Sequence, residues 1–170
     1  MHGKPIGNWL PRAWARLGLE VGLRDVRSAS WTGRGPGESY RDKKESQLIG
    51  SYTKTIDELW TDYEFPQEEG NRTDVRAVEF RTEREWELLL GAMFVKPNGN
   101  NTSFQASRYT VQDVEAAKHP FELYKKRRED TVVHLDWMHH GLGTGSCGPP
   151  TRPEYTLWAD REYEVEIVLY

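Results

Sequence analysis

The side chains best suited to catalysis or metal binding are clustered in one short stretch. HLDWMHHG contains three imidazoles and a carboxylate, from His134, His139, His140 and Asp136. On a strand over 131–137, His134 and Asp136 share one face and can both reach one metal ion. No H-E-x-x-H or C-x-x-C spacing accompanies them, so hydrogen-bonded histidines near a strand end are the favoured interpretation.

A second charged group follows a predicted turn. Arg72, Asp74 and Arg76 recur at a spacing of two, which on a strand predicts one face with two guanidinium groups flanking a carboxylate. A partly buried structural network is the favoured interpretation. The alternative is a surface that presents planar donors to sugar hydroxyls.

Other catalytic patterns are not indicated. No carboxylate pair stands out among the 27 acidic residues, and no Gly-x-Ser-x-Gly motif occurs. Cys147 is the single cysteine, without an activating base nearby in the sequence. The stretch GRGPGES lacks the third glycine of a dinucleotide-binding loop, and its Pro36 removes a backbone donor. It predicts a sheet corner.

The composition limits the classes of function. A chain of 170 residues fits one domain with a hydrophobic core. The net charge of −4 gives no electrostatic case for binding nucleic acid or an anionic membrane surface. No apolar run is long enough for a membrane span. The single cysteine and the lack of a signal-peptide pattern predict a cytoplasmic location.

Short strands dominate the predicted fold. Period-two alternation and β-rich composition predict strands at 16–23, 74–82, 85–95, 102–107, 131–137 and 162–169. The stretch KPNGNN predicts a hairpin turn. One helix is predicted after Thr110, where Asp113 completes a capping box. The predicted fold class is all-β, an antiparallel β-sandwich with one or two short helices.

Five motifs in one order resemble a known family. They are GRGPGESYRD, FPQEEGNRTDVR, FQASRYTVQDVEAAKH, HLDWMHHGLGTGSCGPP and PEY. They resemble the C-terminal, small-chain domain of glycoside hydrolase family 2 β-galactosidases of the bacterial lactose-cleaving type. The resemblance implies a galactose-mutarotase-like supersandwich, of which residues 10–170 resemble only the second half. Residues 1–9 are expected to be poorly ordered.

The resemblance also implies roles for particular residues. A structural polar network is expected from Glu38, Tyr40, Asp42, Arg72, Asp74, Arg76, Ser107, Arg108, Tyr109 and Asp136. Substrate-binding residues are expected to be Trp137, His139, Ser146 and Cys147. In many relatives a tryptophan after the GLG segment stacks on the sugar. Here Cys147 lies nearest that position, so the platform is either missing or supplied from elsewhere, with Trp137 as the candidate replacement.

The implied function depends on a second component. In the family this domain packs against a TIM barrel that carries both catalytic glutamates, so the chain is not expected to be active alone. Family enzymes use magnesium and sodium, and no cofactor is expected in this chain. Expected partners are a β-galactoside such as lactose, a catalytic large chain, and a second copy joined through open sheet edges.

Three other interpretations are alternatives to this one. The first is an autonomous lectin-like module, and the second is a non-functional remnant. The third, a stand-alone hydrolase, is the least favoured. The lectin-like module would bind β-galactosides through Trp137, His139 and the face predicted for residues 72–76.

Overall fold

The computed structural model describes residues 2–3, 12–82, 84, 87–95, 102–144, 147–164 and 166–170. The strands of this part are β1 His2–Gly3, β2 Arg16–Leu23, β3 Val26–Gly35, β4 Leu48–Thr55, β5 Arg72–Thr73, β6 Ala77–Thr82, β7 Leu88–Phe94, β8 Ser103–Ser107, β9 Thr131–His139, β10 Tyr163–Glu164 and β11 Ile167–Leu169. The helices are α1 Ile56–Leu59, α2 Val111–Ala116 and α3 Pro120–Tyr124, with a 3-10 turn at Pro153–Tyr155. None of these described helices is long and apolar enough to cross a membrane.

The long strands form two antiparallel sheets. One sheet has the strand order β11-β7-β6-β3-β4, and the other has the order β2-β9-β8-β5. A separate pair joins β1 to β10. Both sheets have edge strands and do not close into a barrel. The architecture is an antiparallel β-sandwich, so the predicted fold class is confirmed.

Aromatic side chains fill the space between the two sheets. The ring of Trp31 on β3 lies 5.4 Å from the ring of Phe104 on β8, centroid to centroid. Phe80 on β6 approaches the same Phe104 ring edge-on at 6.0 Å. Since burying a large apolar side chain stabilises the fold by about 1.5–3 kcal/mol, these contacts hold the sheets together.

Alternation along β9 separates core residues from site residues. The side chains that join the core are those of Val133, Leu135 and Trp137. His134 and Asp136 alternate with them and therefore lie on the opposite face of the sheet. In the neighbouring β2, Glu20 is the register partner of His134. The outer face of the four-stranded sheet is consequently polar, and it carries the candidate site.

Most predicted strands are confirmed, with shifted ends. β2 has the predicted bounds, and β9 continues to His139 instead of ending at 137. The strand predicted over 162–169 is present as two short strands, β10 and β11. The hairpin turn predicted at 96–101 lies outside the described residues. Strands β3 and β4 and helices α1 and α3 were not predicted by the sequence patterns.

The predicted capping box and the predicted sheet corner are also confirmed. Thr110 Oγ1 accepts from the Asp113 backbone N–H at 3.1 Å, and the Asp113 carboxylate accepts from the Thr110 N–H at 3.1 Å. This is the predicted capping box of α2. The glycine-rich stretch GRGPGES is a sheet corner, because β3 ends at Gly35 and the chain bends at Pro36.

The prediction for the N-terminal segment falls mostly outside the described residues. His2 and Gly3 are the described members of the range 1–9, and they pair with Glu164 and Tyr163 of β10. The expectation that the rest of the range 1–9 is poorly ordered stays a prediction.

Residues 72–76 do not share one strand face, so that interpretation is wrong. Asp74 has a φ of +55°, in the left-handed region that interrupts an extended strand. Arg72 belongs to β5 in the four-stranded sheet, whereas β6 in the other sheet begins at Ala77. The chain crosses between sheets here, which gives the three charged side chains different surroundings.

Candidate functional site

A covering segment buries the polar outer face of the four-stranded sheet. The buried polar residues on this face include Thr73, Ser103, Gln105, Ser107, His134 and Asp136. Gln105 Nε2 donates to the backbone oxygen of Glu69 and, at 3.2 Å, to Glu68 Oε1. These bonds fix residues 67–71 over the sheet, and they satisfy groups that would otherwise be costly to bury.

Glu68 is the centre of this arrangement. Its Oε1 accepts from Arg16 Nη2 at 3.2 Å and from the Tyr40 hydroxyl at 3.4 Å. His139 Nε2 lies 3.5 Å from the same oxygen. We call Arg16, Glu68, Gln105, Asp136 and His139 the Glu68 cluster. Burial opposes ionisation of Glu68, but contact with His139 and the charge of Arg16 lower its pKa.

The two ring nitrogens of His139 have different neighbours. Nδ1 lies 2.6 Å from the backbone oxygen of His140, which can only accept, so Nδ1 carries a proton. Arg16 Nη2 lies 3.1 Å from Nε2, and Glu68 Oε1 lies 3.5 Å from the same nitrogen. Contacts at both ring nitrogens hold the His139 imidazole in one orientation.

Asp136 and His134 lie below the surface of this face. Asp136 is 1% exposed, and its Oδ2 is 3.6 Å from Arg16 Nη1. Burial raises the pKa of Asp136 to about 6, against the opposing charge of Arg16. Burial and the same Arg16 charge lower the pKa of His134 to about 4. His134 is consequently neutral at pH 7.

An open cleft lies beside the Glu68 cluster. Its volume is about 760 Å³, within the range of small-ligand sites. Side chains that line it include Trp14, Arg16, Glu20, Glu68, His139 and Leu142. The cleft combines apolar walls with hydrogen-bonding groups, a mixture that suits a polar organic ligand.

Two further glutamates, Glu38 and Glu69, connect the covering segment to Thr61. Glu38 Oε2 accepts from Thr61 Oγ1 at 3.1 Å and from the Gly70 N–H at 2.8 Å. Glu69 Oε2 accepts from the Thr61 N–H at 2.8 Å. Burial raises the pKa of Glu69 to about 8, and the charges of Glu38 and Glu68 add to this effect.

Asp42 fixes the segment that follows β9. Its carboxylate accepts from the backbone N–H groups of Leu142 at 3.1 Å and Gly143 at 2.7 Å. His140 N–H donates to the backbone oxygen of Ala15 at 2.9 Å. These bonds hold residues 140–143 at the margin of the cleft.

The predicted Arg72, Asp74 and Arg76 group is dispersed. Arg72 is 1% exposed, and its guanidinium donates to the backbone oxygens of Leu59, Gly70 and Pro36. Asp74 instead accepts from Arg34 Nε at 2.6 Å and from Lys44 Nζ at 2.5 Å. Arg76 is exposed. Arg72 and Asp74 thus support the fold at separate places.

The predicted sugar-contacting residues are not brought together. The Trp137 side chain is 3% exposed and packs in the core, 6.4 Å from the Phe94 ring. His139 is buried within the Glu68 cluster, whereas Cys147 is exposed. Ser146 lies outside the described residues. The substrate contacts of these residues stay predictions.

The SRY motif supports the fold near α2. Ser107 Oγ accepts from the Tyr109 N–H at 3.0 Å. Arg108 donates from Nη2 to the backbone oxygen of Val26 at 2.9 Å. The Tyr109 ring packs against Trp60 with their centroids 4.8 Å apart. These contacts lie near the Glu68 cluster, because Ser107 and Tyr109 line a second cavity together with Glu68 and Gln105.

Arg16, Glu68 and Gln105 are site residues that the sequence patterns missed. Each lies on a different segment, so no local spacing connects them. The available signal was the motif FPQEEGNR, in which Glu68 follows a turn proline and precedes the turn glycine Gly70. Its importance becomes visible only when β2 and β8 are placed beside it.

The described residues offer no ready set of metal ligands. Within this part of the chain, no group of three or more His, Cys, Asp or Glu side chains is arranged to hold a metal ion.

Fold and site together define a β-sandwich domain with a partly buried ion-pair cluster that lines an open cleft on one sheet. The sequence profile of the β-galactosidase small chain matches residues 2–169. The chain therefore belongs to the β-galactosidase small-chain family. This membership confirms the resemblance carried by the five motifs.

Several relatives are full proteins of much greater length. The chain is 36% identical over 167 residues to a β-galactosidase of Kluyveromyces lactis, covering 96% of this chain and 15% of that protein. It is 35% identical over 158 residues to a β-galactosidase of Arthrobacter sp. strain B7, and the match covers 90% of this chain and 15% of that protein. It is 35% identical over 161 residues to a β-galactosidase of Vibrio cholerae, and the match covers 94% of this chain and 14% of that protein. The chain thus spans about one-seventh of the length of these relatives.

Proposed function

We infer that this chain supports the binding and hydrolysis of a β-galactoside, such as lactose, together with a catalytic barrel carried elsewhere. The support is its family membership over residues 2–169. Its relatives are named β-galactosidases and extend far beyond the matched region. The catalytic component is either another part of a longer protein or a separate large chain.

The fixed segment after β9 is the observation that carries this proposal. The resemblance implies that this domain lends residues to the rim of the galactoside pocket, and three of the four expected contacts, His139, Ser146 and Cys147, come from the end of β9 and the segment after it. Asp42 holds Leu142 and Gly143 by two backbone hydrogen bonds, and the Gly141 N–H donates to Tyr155 O at 2.9 Å. A wall fixed in this way positions a substrate without losing binding energy to loop ordering.

The state of the acidic groups supports a non-catalytic role for this chain. Retaining hydrolysis needs one carboxylate as nucleophile and another as acid/base, both facing the sugar. Glu68 is engaged by Arg16 and Gln105, and Asp136 is 1% exposed. These two carboxylates are committed to the fold, so the reactive pair is assigned to the catalytic barrel.

The lectin-like alternative has less support. Two of its proposed contacts, Trp137 and Arg72, are buried at 3% and 1% exposure, so they offer no platform to a sugar at the surface. The cytoplasmic location favoured by the single cysteine is part of the main proposal.

Complementation tests the proposal. The chain is mixed with a β-galactosidase catalytic part from which this domain has been removed, and cleavage of a chromogenic galactoside is followed. We expect the two components to elute together and turnover to appear only in the mixture. Absence of both co-elution and turnover would contradict the proposal, as would turnover by the purified chain alone.

A further inference from the structure

The edges of the two described sheets differ in how well they are protected. β5 and β11 have only two and three residues. β2 has an irregular register between Leu17 and Gly18. Short edges and irregular registers discourage pairing with another strand. β4 has neither protection, because its eight residues pair with β3 in a continuous register from Leu48 to Thr55.

The composition of β4 also suits an edge strand that pairs with a strand from another chain. Leu48 is 74% exposed and Ile49 is 53% exposed. Lys54 is its single charged residue, and the strand contains no proline. In the described part of the chain, β3 is the only strand that pairs with β4. The other side of β4 therefore presents backbone donors and acceptors to a further strand.

We propose that β4 pairs antiparallel with β4 of a second copy of this chain, about a two-fold axis at Ser51. This register places Ser51 opposite its own symmetry mate, Ile49 opposite Thr53, and Leu48 opposite Lys54. Opposed residues then lie on the same face of the joined sheet, as the pleat requires. The contact is isologous and closes as a dimer.

Charge and side-chain type favour a second copy as the occupant. In this register the two Lys54 side chains are each opposite a Leu48, so no like charges meet across the new edge. Ile49 and Thr53 form a β-branched cross-strand pair, a combination that suits a pleated surface. The two Leu48 side chains cover the aliphatic stems of Lys54.

Sedimentation at increasing protein concentration is the first test. We expect a reversible shift from monomer to dimer. Ile49→Lys places a charged side chain opposite Thr53 of the second copy in place of the Ile49–Thr53 pair, and it is expected to raise the midpoint concentration at least about tenfold. Phe65→Lys is the matched control, because Phe65 is 64% exposed but lies outside β4, and it should leave the midpoint unchanged.

Disulfide trapping tests the register. In a Cys147→Ser background, Ser51→Cys places two thiols at cross-strand separation, about 4.5–5.5 Å between Cα atoms, which a disulfide can span. We expect rapid oxidation to a covalent dimer. Thr53→Cys is the control, since its symmetry mates are separated by roughly 13 Å along the strands, and it should remain uncrosslinked.

Several results would overturn the proposal. These are a monomer at all concentrations, a dimer indifferent to Ile49→Lys, or equal trapping through Ser51→Cys and Thr53→Cys. Protection of β4 amides from hydrogen exchange only after a β-galactosidase catalytic part is added would also overturn it, in favour of a strand from that part. Because sedimentation needs no sugar and no catalytic part, its result is independent of the proposed function.

Discussion

Arg16, the first residue of β2, donates from Nη2 to Glu68 Oε1 at 3.2 Å across a sequence separation of 52 residues. The same Nη2 is 2.9 Å from Gln105 Oε1 on β8. One guanidinium group thus connects two strands of a sheet to the segment that covers them. This long-range contact holds the covering segment in place over the sheet.

Truncating Glu68 should destabilise the fold substantially. Glu68→Ala leaves Arg16 without its carboxylate partner in a partly buried place, so we expect a loss of about 1.5–3 kcal/mol in the free energy of unfolding. Urea denaturation measures it. Arg127→Ala is the control, because the Arg127–Asp57 pair is exposed at 47% and 60% and should cost less than about 1 kcal/mol. Equal losses in the two variants would contradict the role of Glu68.

The raised pKa of Glu69 predicts a pH-dependent stability. The folded state holds the Glu69 proton up to about pH 8, whereas an unfolded chain releases it near roughly pH 4.3. The contribution of Glu69 to the free energy of unfolding is therefore largest at low pH, and it decreases as the pH rises from roughly 4.3 to about 8. Glu69→Gln removes the titration while its side-chain oxygen can still accept from Thr61.

Chemical denaturation at several pH values checks this prediction. Relative to Glu69→Gln, the unmodified chain should lose up to about 1.4 kcal/mol of unfolding free energy per pH unit inside the window. Comparing the two proteins at each pH cancels the titrations of groups such as Asp136 and His134. Parallel stability curves for the two proteins would show that Glu69 titrates normally.

Asp74 is expected to stabilise the crossover between sheets in two ways. Its φ of +55° is tolerated by Asp and Asn better than by Ala, and its carboxylate accepts from Arg34 and Lys44. Asp74→Ala should cost about 2–4 kcal/mol of unfolding free energy, and Asp74→Asn should cost less. Thermal and urea unfolding measure both.

Asp25 separates the backbone effect from the charge effect. It has a φ of 57° and is exposed, so Asp25→Ala should cost only about 0.5–1 kcal/mol. If Asp25→Ala and Asp74→Ala proved equally costly, the ion pairs of Asp74 would have no measurable role.

Sequence patterns predicted the elements whose signals are local. Alternation in residues 16–23 reflects a strand with one buried face, and Thr110 with Asp113 satisfies the first turn of α2. β3 was missed because VRSASWTGRG mixes hydroxyl, charged and glycine residues. Its inner positions are identified by packing, with Trp31 against Phe104.

The site itself could not be read from local spacing. The period-two pattern at residues 72–76 was overridden by the left-handed conformation of Asp74, which directs the chain into the other sheet. The predicted Trp137 platform is in the core because alternation on β9 places it with Val133 and Leu135. The Arg16–Glu68 contact joins residues that only tertiary structure brings together.

The central claim is that this chain holds the pocket margin for a catalytic part, and kcat/KM of the complemented enzyme tests it most directly. Asp42→Ala removes the acceptor for the N–H groups of Leu142 and Gly143. We expect complexes with Asp42→Ala to assemble but to cleave a chromogenic galactoside with a kcat/KM at least about tenfold lower, while Arg127→Ala has no effect. Equal kcat/KM for Asp42→Ala and the unmodified chain in assembled complexes would contradict the claim.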